Sequence, residues 1–242
     1  MLDAGVKFGS GNTLNVSSAE LNSATSLTTI LNSGITNIKT VSGTISVAQV
    51  ESLLPIQGLT FSNGTALQIT DALTLGTAVA KGANYYSGKG ITNATLTPTT
   101  ISYSDAIALK TAGIVQVNSG LTLVLDAPAF TATNLSNLDA YASMGFSTLS
   151  VATGVTLTRA QVDTILNESA NFKFASGTFV ATTNFGTLSA SAASFYSSKG
   201  LALPEGVPIE VSAMTLSDAY AIALRGGKYG APIATEKIQV SV

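Results

Sequence analysis

Apolar, helix-like segments of this chain end on a glycine again and again, at Gly34, Gly58, Gly90, Gly113, Gly145 and Gly200. The spacing alternates short and long, so every second glycine falls about 55 residues after its predecessor. Such a period constrains the fold more than composition can, because one short unit cannot bury its own apolar face and must stack on its neighbour. The short units read ITNIKTVSGTISVAQVESLLPIQG (35–58), ITNATLTPTTISYSDAIALKTAG (91–113) and FSTLSVATGVTLTRAQVDTILNESA (146–170), with Ala170 in place of the glycine. Each opens on β-prone residues and then sets Ser46, Ser104 or Thr158 before an apolar run of helical spacing. These hydroxyls are the expected N-caps, accepting from the first free N–H groups of a helix, and Gln49 and Gln161 complete a Ser/Thr-x-x-Gln capping box.

The long units open on VKFGSG, LTFSNG, VQVNSG and FKFASG, alternating side chains followed by a turn, of which Asn63-Gly64 is the clearest. A second β-prone stretch follows (TLNVSS, ALQITD, LTLVLD, TFVATT), and each unit closes on a helix-like segment: TSLTTILNSG, KGANYYSGKG, NLDAYASMG or SASAASFYSSKG. A closing glycine takes the left-handed conformation that ends a helix without a Cβ penalty. A last unit keeps a capped helix after Ser217 and ends near Gly226 and Gly227, whereas residues 229–242 break the pattern and read as a cap or edge strand. The opening MLDAG reads as the tail of a unit, either a start with an open end or an excerpt from a longer array.

Strands joined through helices in one sheet run parallel with right-handed crossovers. The expected fold is therefore an α/β repeat solenoid over residues 1–228, about eight alternating short and long units with parallel β ladders and short capped helices. The alternative is a β-helix with lateral helices. The L-x-x-L-x-L-x-x-N ladder of leucine-rich repeats is not in the sequence.

With 45% apolar residues in 242 and a mean hydropathy of +0.40, the chain can build a large core. Only 10% of residues are charged, well below the roughly 25% of ordinary soluble proteins, so the surface is neutral and hydroxyl-rich. A net charge of -2 gives little repulsion between copies, which favours self-association or covering by neighbouring modules. Two scattered arginines, Arg159 and Arg225, and no basic stripe argue against nucleic acid. No apolar run approaches the ~18 residues of a spanning helix, so no membrane insertion is expected. The N-terminal residues lack a basic and an apolar signal region, so export would take another route.

Histidine and cysteine are both absent, which removes the Ser-His triad, imidazole ligands, disulfides and thiolate chemistry. Acids are spread thinly, and the recurring ones, Asp105 and Asp218, stand beside caps where the helix dipole accounts for them. No enzyme and no cofactor are expected. Calcium nonapeptides and acidic loops are missing; single ions at Asp71 or Asp126 are weighed against plain turn residues. SGKG at 87–90 lacks the spacing of a phosphate loop and reads as a helix end. Tyr85, Tyr86, Tyr141, Phe195 and Tyr196 recur in the long units. They read first as an inward row that fills the core, and otherwise as a glycan-contact stripe carried by Tyr86, Tyr141 and Tyr196.

The G-x-[ILV]-[ST]-x-x-[AQ] entry to a helix, in a glycine-punctuated, Ser/Thr/Asn-rich, charge-poor and cysteine-free chain, resembles the tandem-repeat modules of large bacterial cell-surface and surface-layer-like proteins. These are proteins of cyanobacteria and proteobacteria, and similar modules occur in tailed-phage structural proteins. The resemblance spans residues 5 to about 228 and rests on caps and turns, not on a site. It implies a non-enzymatic building block of an outward-facing assembly, a surface layer, fibre or virion appendage located at the cell surface or on a virion. An adhesin-like or tail-fibre-like module that binds glycans or receptors is the alternative, and it requires the tyrosine rings to be exposed.

Overall fold

A computed structural model of the chain describes residues 7–9, 11–17, 20, 29–30, 32–35, 37–40, 43–53, 60–61, 64–168, 172–175, 178–179, 186–203, 207 and 209–210. Gly58, Asn63, Ala170, Ser217, Asp218, Arg225, Gly226, Gly227 and residues 229–242 lie outside them. The fold is α/β: parallel sheets with short helices, in two compact units. One unit takes the chain to Leu121 together with Ser143–Phe146; the other takes Thr122–Ala142 and the chain from Ser147 onward.

In the first unit the chain runs β1 (Thr13–Val16), β2 (Asn37–Thr40), β3 (Thr44–Ser46), α1 (Val47–Leu53), β4 (Thr60–Phe61), β5 (Ala66–Ile69) and α2 (Ala72–Val79). It continues through β6 (Asn93–Leu96), β7 (Thr100–Ser102), α3 (Tyr103–Thr111) and β8 (Gln116–Val117). β1, β2 and β4 form one parallel sheet, and β3, β5, β6 and β8 another. In the second sheet Thr44 lies beside Ala66, Ala66 beside Asn93 and Asn93 beside Gln116, all in parallel register. The alternate residues Ile45, Leu67, Ile69, Ala94, Leu96 and Val117 point into the core. Where β8 stops short, the Asn118 side chain continues the ladder: its Oδ1 accepts from Leu96 N–H at 2.7 Å and its Nδ2 donates to Leu96 C=O at 3.2 Å.

Helices start where the strands stop. Ser46 and Ser102 are each the last residue of a strand and also the cap of the following helix. The capping boxes expected at Ser46 and Thr158 form: Ser46 N–H donates to Gln49 Oε1 at 2.9 Å and Gln49 N–H to Ser46 Oγ at 3.2 Å, with Thr158 and Gln161 bonded likewise at 2.8 and 3.3 Å. The middle cap differs from the expectation: it is Ser102, which accepts from Asp105 N–H at 3.0 Å, while Ser104 lies inside the helix. The reason is alignment of the apolar face. A helix starting after Ser102 buries Tyr103, Ala106 and Leu109 just as α1 buries Val47, Val50 and Leu53.

The expected closing segment KGANYYSGKG is not an α-helix. Asp71 caps α2 earlier in that unit, and only a 3-10 turn, Ser87–Lys89, leads into Gly90. The closing glycines do more than cap. Gly34, Gly90 and Gly145 have φ of 102°, 86° and 132°, and a Cβ on each would run into the backbone carbonyl of Phe8, Phe61 and Val117, the latter two in strands β4 and β8.

The second unit holds most of β9 (Leu121–Leu125), α4 (Ala132–Ser136), α5 (Asp139–Met144), β10 (Phe146–Val151), α6 (Arg159–Glu168), β11 (Lys173–Phe174) and β12 (Thr178–Phe179). It ends in β13 (Leu188–Ser189), α7 (Ala190–Ser198), β14 (Leu201–Ala202) and β15 (Ile209–Glu210). β9, β10 and β11 share a sheet, while β12 with β14 and β13 with β15 form parallel pairs. Ser189 ends β13 and caps α7, accepting from Ala192 N–H at 3.2 Å. Gly200, at φ 88°, sits against the Phe174 carbonyl as its counterparts do in the first unit.

Candidate functional site

The recurring tyrosines are the sequence's candidate for contact with a glycan, and the rings of Tyr86, Tyr141 and Tyr196 are inside. Tyr86, Tyr141 and Tyr196 expose 0%, 5% and 4% of their surface. A buried ring offers no face for a sugar to stack on, so the glycan-contact stripe is corrected to core filling. Phe195, next to Tyr196, is 42% exposed, and Tyr85 is half-buried.

What gathers around these rings is a carboxylate. In the first unit Glu51, on α1, reaches the segment that follows α2. Tyr85 O–H donates to Glu51 Oε1 and Oε2 at 3.0 and 3.2 Å, and Lys81 Nζ lies 2.7 Å from Oε2. The same ammonium stands 5.1 Å from the Tyr85 ring centroid, and Tyr85 meets Tyr86 edge-to-face with centroids 5.1 Å apart. The second unit repeats the plan with α6 and α7: Tyr196 O–H donates to Asp163 Oδ1, and Arg159 Nε approaches Asp163 Oδ2 at 3.6 Å. Arg159 also donates from Nη1 to Thr187 C=O at 3.3 Å. Each clasp thus fastens one helix to a segment more than thirty residues further along the chain.

Sequence reasoning missed the two acids, although a signal was there. Glu51 stands two residues after Gln49 and Asp163 two after Gln161, the same place in two copies of the capped helix. The segments that carry their partners resemble each other, YYSGKG (85–90) and FYSSKG (195–200), but the bonded phenol shifts by one place: Tyr85 aligns with Phe195, and Tyr196 with Tyr86.

The electrostatics are those of a fastening. Burial raises the Tyr85 and Tyr196 phenols, and the bond each makes to its carboxylate raises them further. Burial raises Tyr86 most, with the nearby Glu51 charge adding to it. Glu51 raises Lys81 by holding its ammonium form. All four groups therefore keep their protons firmly near neutral pH, whereas acid–base catalysis uses groups whose pKa lies close to the working pH. Tyr86 O–H is buried and has no hydrogen-bond partner among the described residues.

Of the two acids weighed as calcium ligands, Asp71 caps a helix with its side chain, whereas Asp126 makes no side-chain cap bond. The Asp71 carboxylate accepts from Thr74 N–H at 2.8 Å as the cap of α2, and that bond holds it below the usual carboxylate range. Asp126 stands at the cap position of the 3-10 turn Ala127–Phe130, where its carbonyl accepts from Ala129 N–H at 2.9 Å. Among the described residues no three acidic side chains converge on one point, and no helix is long and apolar enough to cross a membrane.

No protein-family model matches the chain, and no curated protein matches it.

Proposed function

We propose that this chain is a non-enzymatic structural repeat protein, an α/β solenoid that serves as a building block of an ordered outward-facing assembly such as a bacterial surface layer, a fibre or a virion appendage. One observation carries the reading: the residues that recur from unit to unit build and join units. Ser and Thr cap helices, closing glycines seat against strand carbonyls, and acids clasp tyrosines. Repeats whose shared residues go into stacking suit a role in which shape and extent are the function. The charge-poor surface favours contact between copies or with neighbouring modules, at the cell surface or on a virion. A glycan-binding adhesin draws no support from Tyr86, Tyr141 and Tyr196, whose rings are covered.

Electron microscopy of the purified protein, with particle mass measured by light scattering over a concentration series, tests the proposal. Filaments, sheets or rings are expected. A monodisperse monomer at every concentration overturns self-assembly as the main role.

A further inference from the structure

The sheet built on β5 has one strand more than the sheet built on β1. β5, β6 and β8 stand one double repeat after β1, β2 and β4 and pair with one another in the same parallel order. β3 then lies outside β5, with Ile45 beside Leu67. Among the described residues β1 has no such outer neighbour and is the last strand of its sheet. Burial records the difference. Leu14 in β1 is half-buried, whereas its counterpart Leu67, between Ile45 and Ala94, is fully buried. Phe8, against whose carbonyl Gly34 sits, corresponds to Phe61 under Gly90, yet it is 45% exposed against 4% for Phe61, which lies beside Ile38 of β2. Ile38 and Ile45 both belong to the short unit 35–58, so within the repeat it is a short unit that covers these two positions. β1 also carries no lysine or proline of the kind that lets natural edge strands refuse a partner.

We propose that the β1 edge, with Phe8 beside it, is a docking site for a short unit of a second copy, one strand of which adds parallel to β1 as a fourth strand. The inference rests on the self-assembly reading above and names its surface. The register of β3 on β5 sets that of the incoming strand: its threonine lies beside Thr13 and its apolar residue beside Leu14. The chain writes a strand of this kind just before the capped helix of each short unit, as Thr44-Ile45-Ser46, Thr100-Ile101-Ser102, Thr156-Leu157-Thr158 and Thr215-Leu216-Ser217, the last outside the described residues. Backbone bonds along the edge supply attachment, and burial of Leu14 and Phe8 supplies selectivity for this register. The surfaces that give and receive the strand differ, so the contact is heterologous and copies add head to tail.

Light scattering over a concentration series on the full chain tests this with Leu14→Lys and Phe8→Ser, urea midpoints serving as the check on folding. Phe8→Ser changes a side chain already half in solvent, so the test survives any loss of stability in Leu14→Lys. Both variants are expected to stay at the 24.5 kDa of a single chain at concentrations where the unsubstituted protein has at least doubled its mass. Leu73→Lys and Val115→Lys alter side chains that are 80% and 60% exposed elsewhere, and are expected to assemble as the unsubstituted protein does. Leu14→Lys in excess should also lower the mass of unsubstituted assemblies, because it can still give a strand to an open β1 but cannot receive one. If Leu14→Lys and Phe8→Ser assemble normally, the β1 edge is not the contact and this inference fails while the building-block reading stands. Equal losses from Leu73→Lys or Val115→Lys would mean general stickiness and overturn it too. No effect of excess Leu14→Lys on the unsubstituted protein would overturn the head-to-tail contact. An unsubstituted protein that is monomeric throughout removes the building-block reading and this inference together.

Discussion

Tyr86 and Tyr196 occupy the same place in their repeats and have opposite polar surroundings. The Tyr196 hydroxyl donates to Asp163, whereas that of Tyr86 is buried with no partner among the described residues. A buried hydroxyl without a partner costs roughly 1–3 kcal/mol. Tyr86→Phe should therefore leave stability unchanged or raise it by about 1 kcal/mol, and Tyr196→Phe should lower it by about 1 kcal/mol, both read from urea midpoints. Glycines separate in the same way. Gly120 has φ 86° with open space around its would-be Cβ, so Gly120→Ala should cost only the left-handed backbone, about 1–2 kcal/mol. Gly90, with a similar φ, would also drive its Cβ into the Phe61 carbonyl, and Gly90→Ala should cost roughly 2 kcal/mol more. The positive φ was legible in the sequence from the repeating glycine. The carbonyl behind it was not, because Phe61 is remote in the chain and arrives only when the unit closes.

At the scale of elements, short helices of seven to ten residues such as α1, α3 and α6 are too brief to persist on propensity alone, and caps and buried faces hold them. Ser102→Ala should cost about 1 kcal/mol, because it leaves Asp105 N–H without its cap, while Ser104→Ala should fall within about 0.5 kcal/mol. The reverse order of losses would place the helix start two residues later. Both serines sit before apolar residues, and choosing between them requires the face that α3 turns to the core. The twin capping boxes at Ser46 and Thr158 were readable because cap and partner stand three residues apart, within reach of local chemistry. α2 was unreadable for a related reason: Asp71 with Thr74 is a capping box built from residues that serve as well in turns.

For the molecule as a whole, pH sensitivity lies on the alkaline side. The folded state raises Tyr85, Tyr86 and Tyr196, so it holds their protons more tightly than the unfolded chain, whose phenols titrate near about 10. Their contribution is complete below that pH and is lost as pH rises through the raised folded values; Lys81, also raised, acts in the same direction. Urea midpoints should hold steady from pH 7 to 9 and fall steeply above about 10, with a shallower fall in Tyr86→Phe. A midpoint independent of pH up to 11 would contradict the burial of these phenols.

Local chemistry makes the capping boxes at Ser46 and Thr158 and the positive-φ closures at Gly34, Gly90, Gly145 and Gly200 readable without a structure, because each rests on residues within a few positions of one another. The tertiary structure decided what those residues touch: that Tyr86, Tyr141 and Tyr196 face inward, that the closing glycines rest on strand carbonyls, and that Glu51 and Asp163 clasp tyrosines more than thirty residues away. Aromatic side chains at a fixed period fit an exposed stripe and a buried row equally well, and only packing against neighbouring units selects between them. A lone acid in a helix reads as solvated until the next unit folds back and brings a phenol to it.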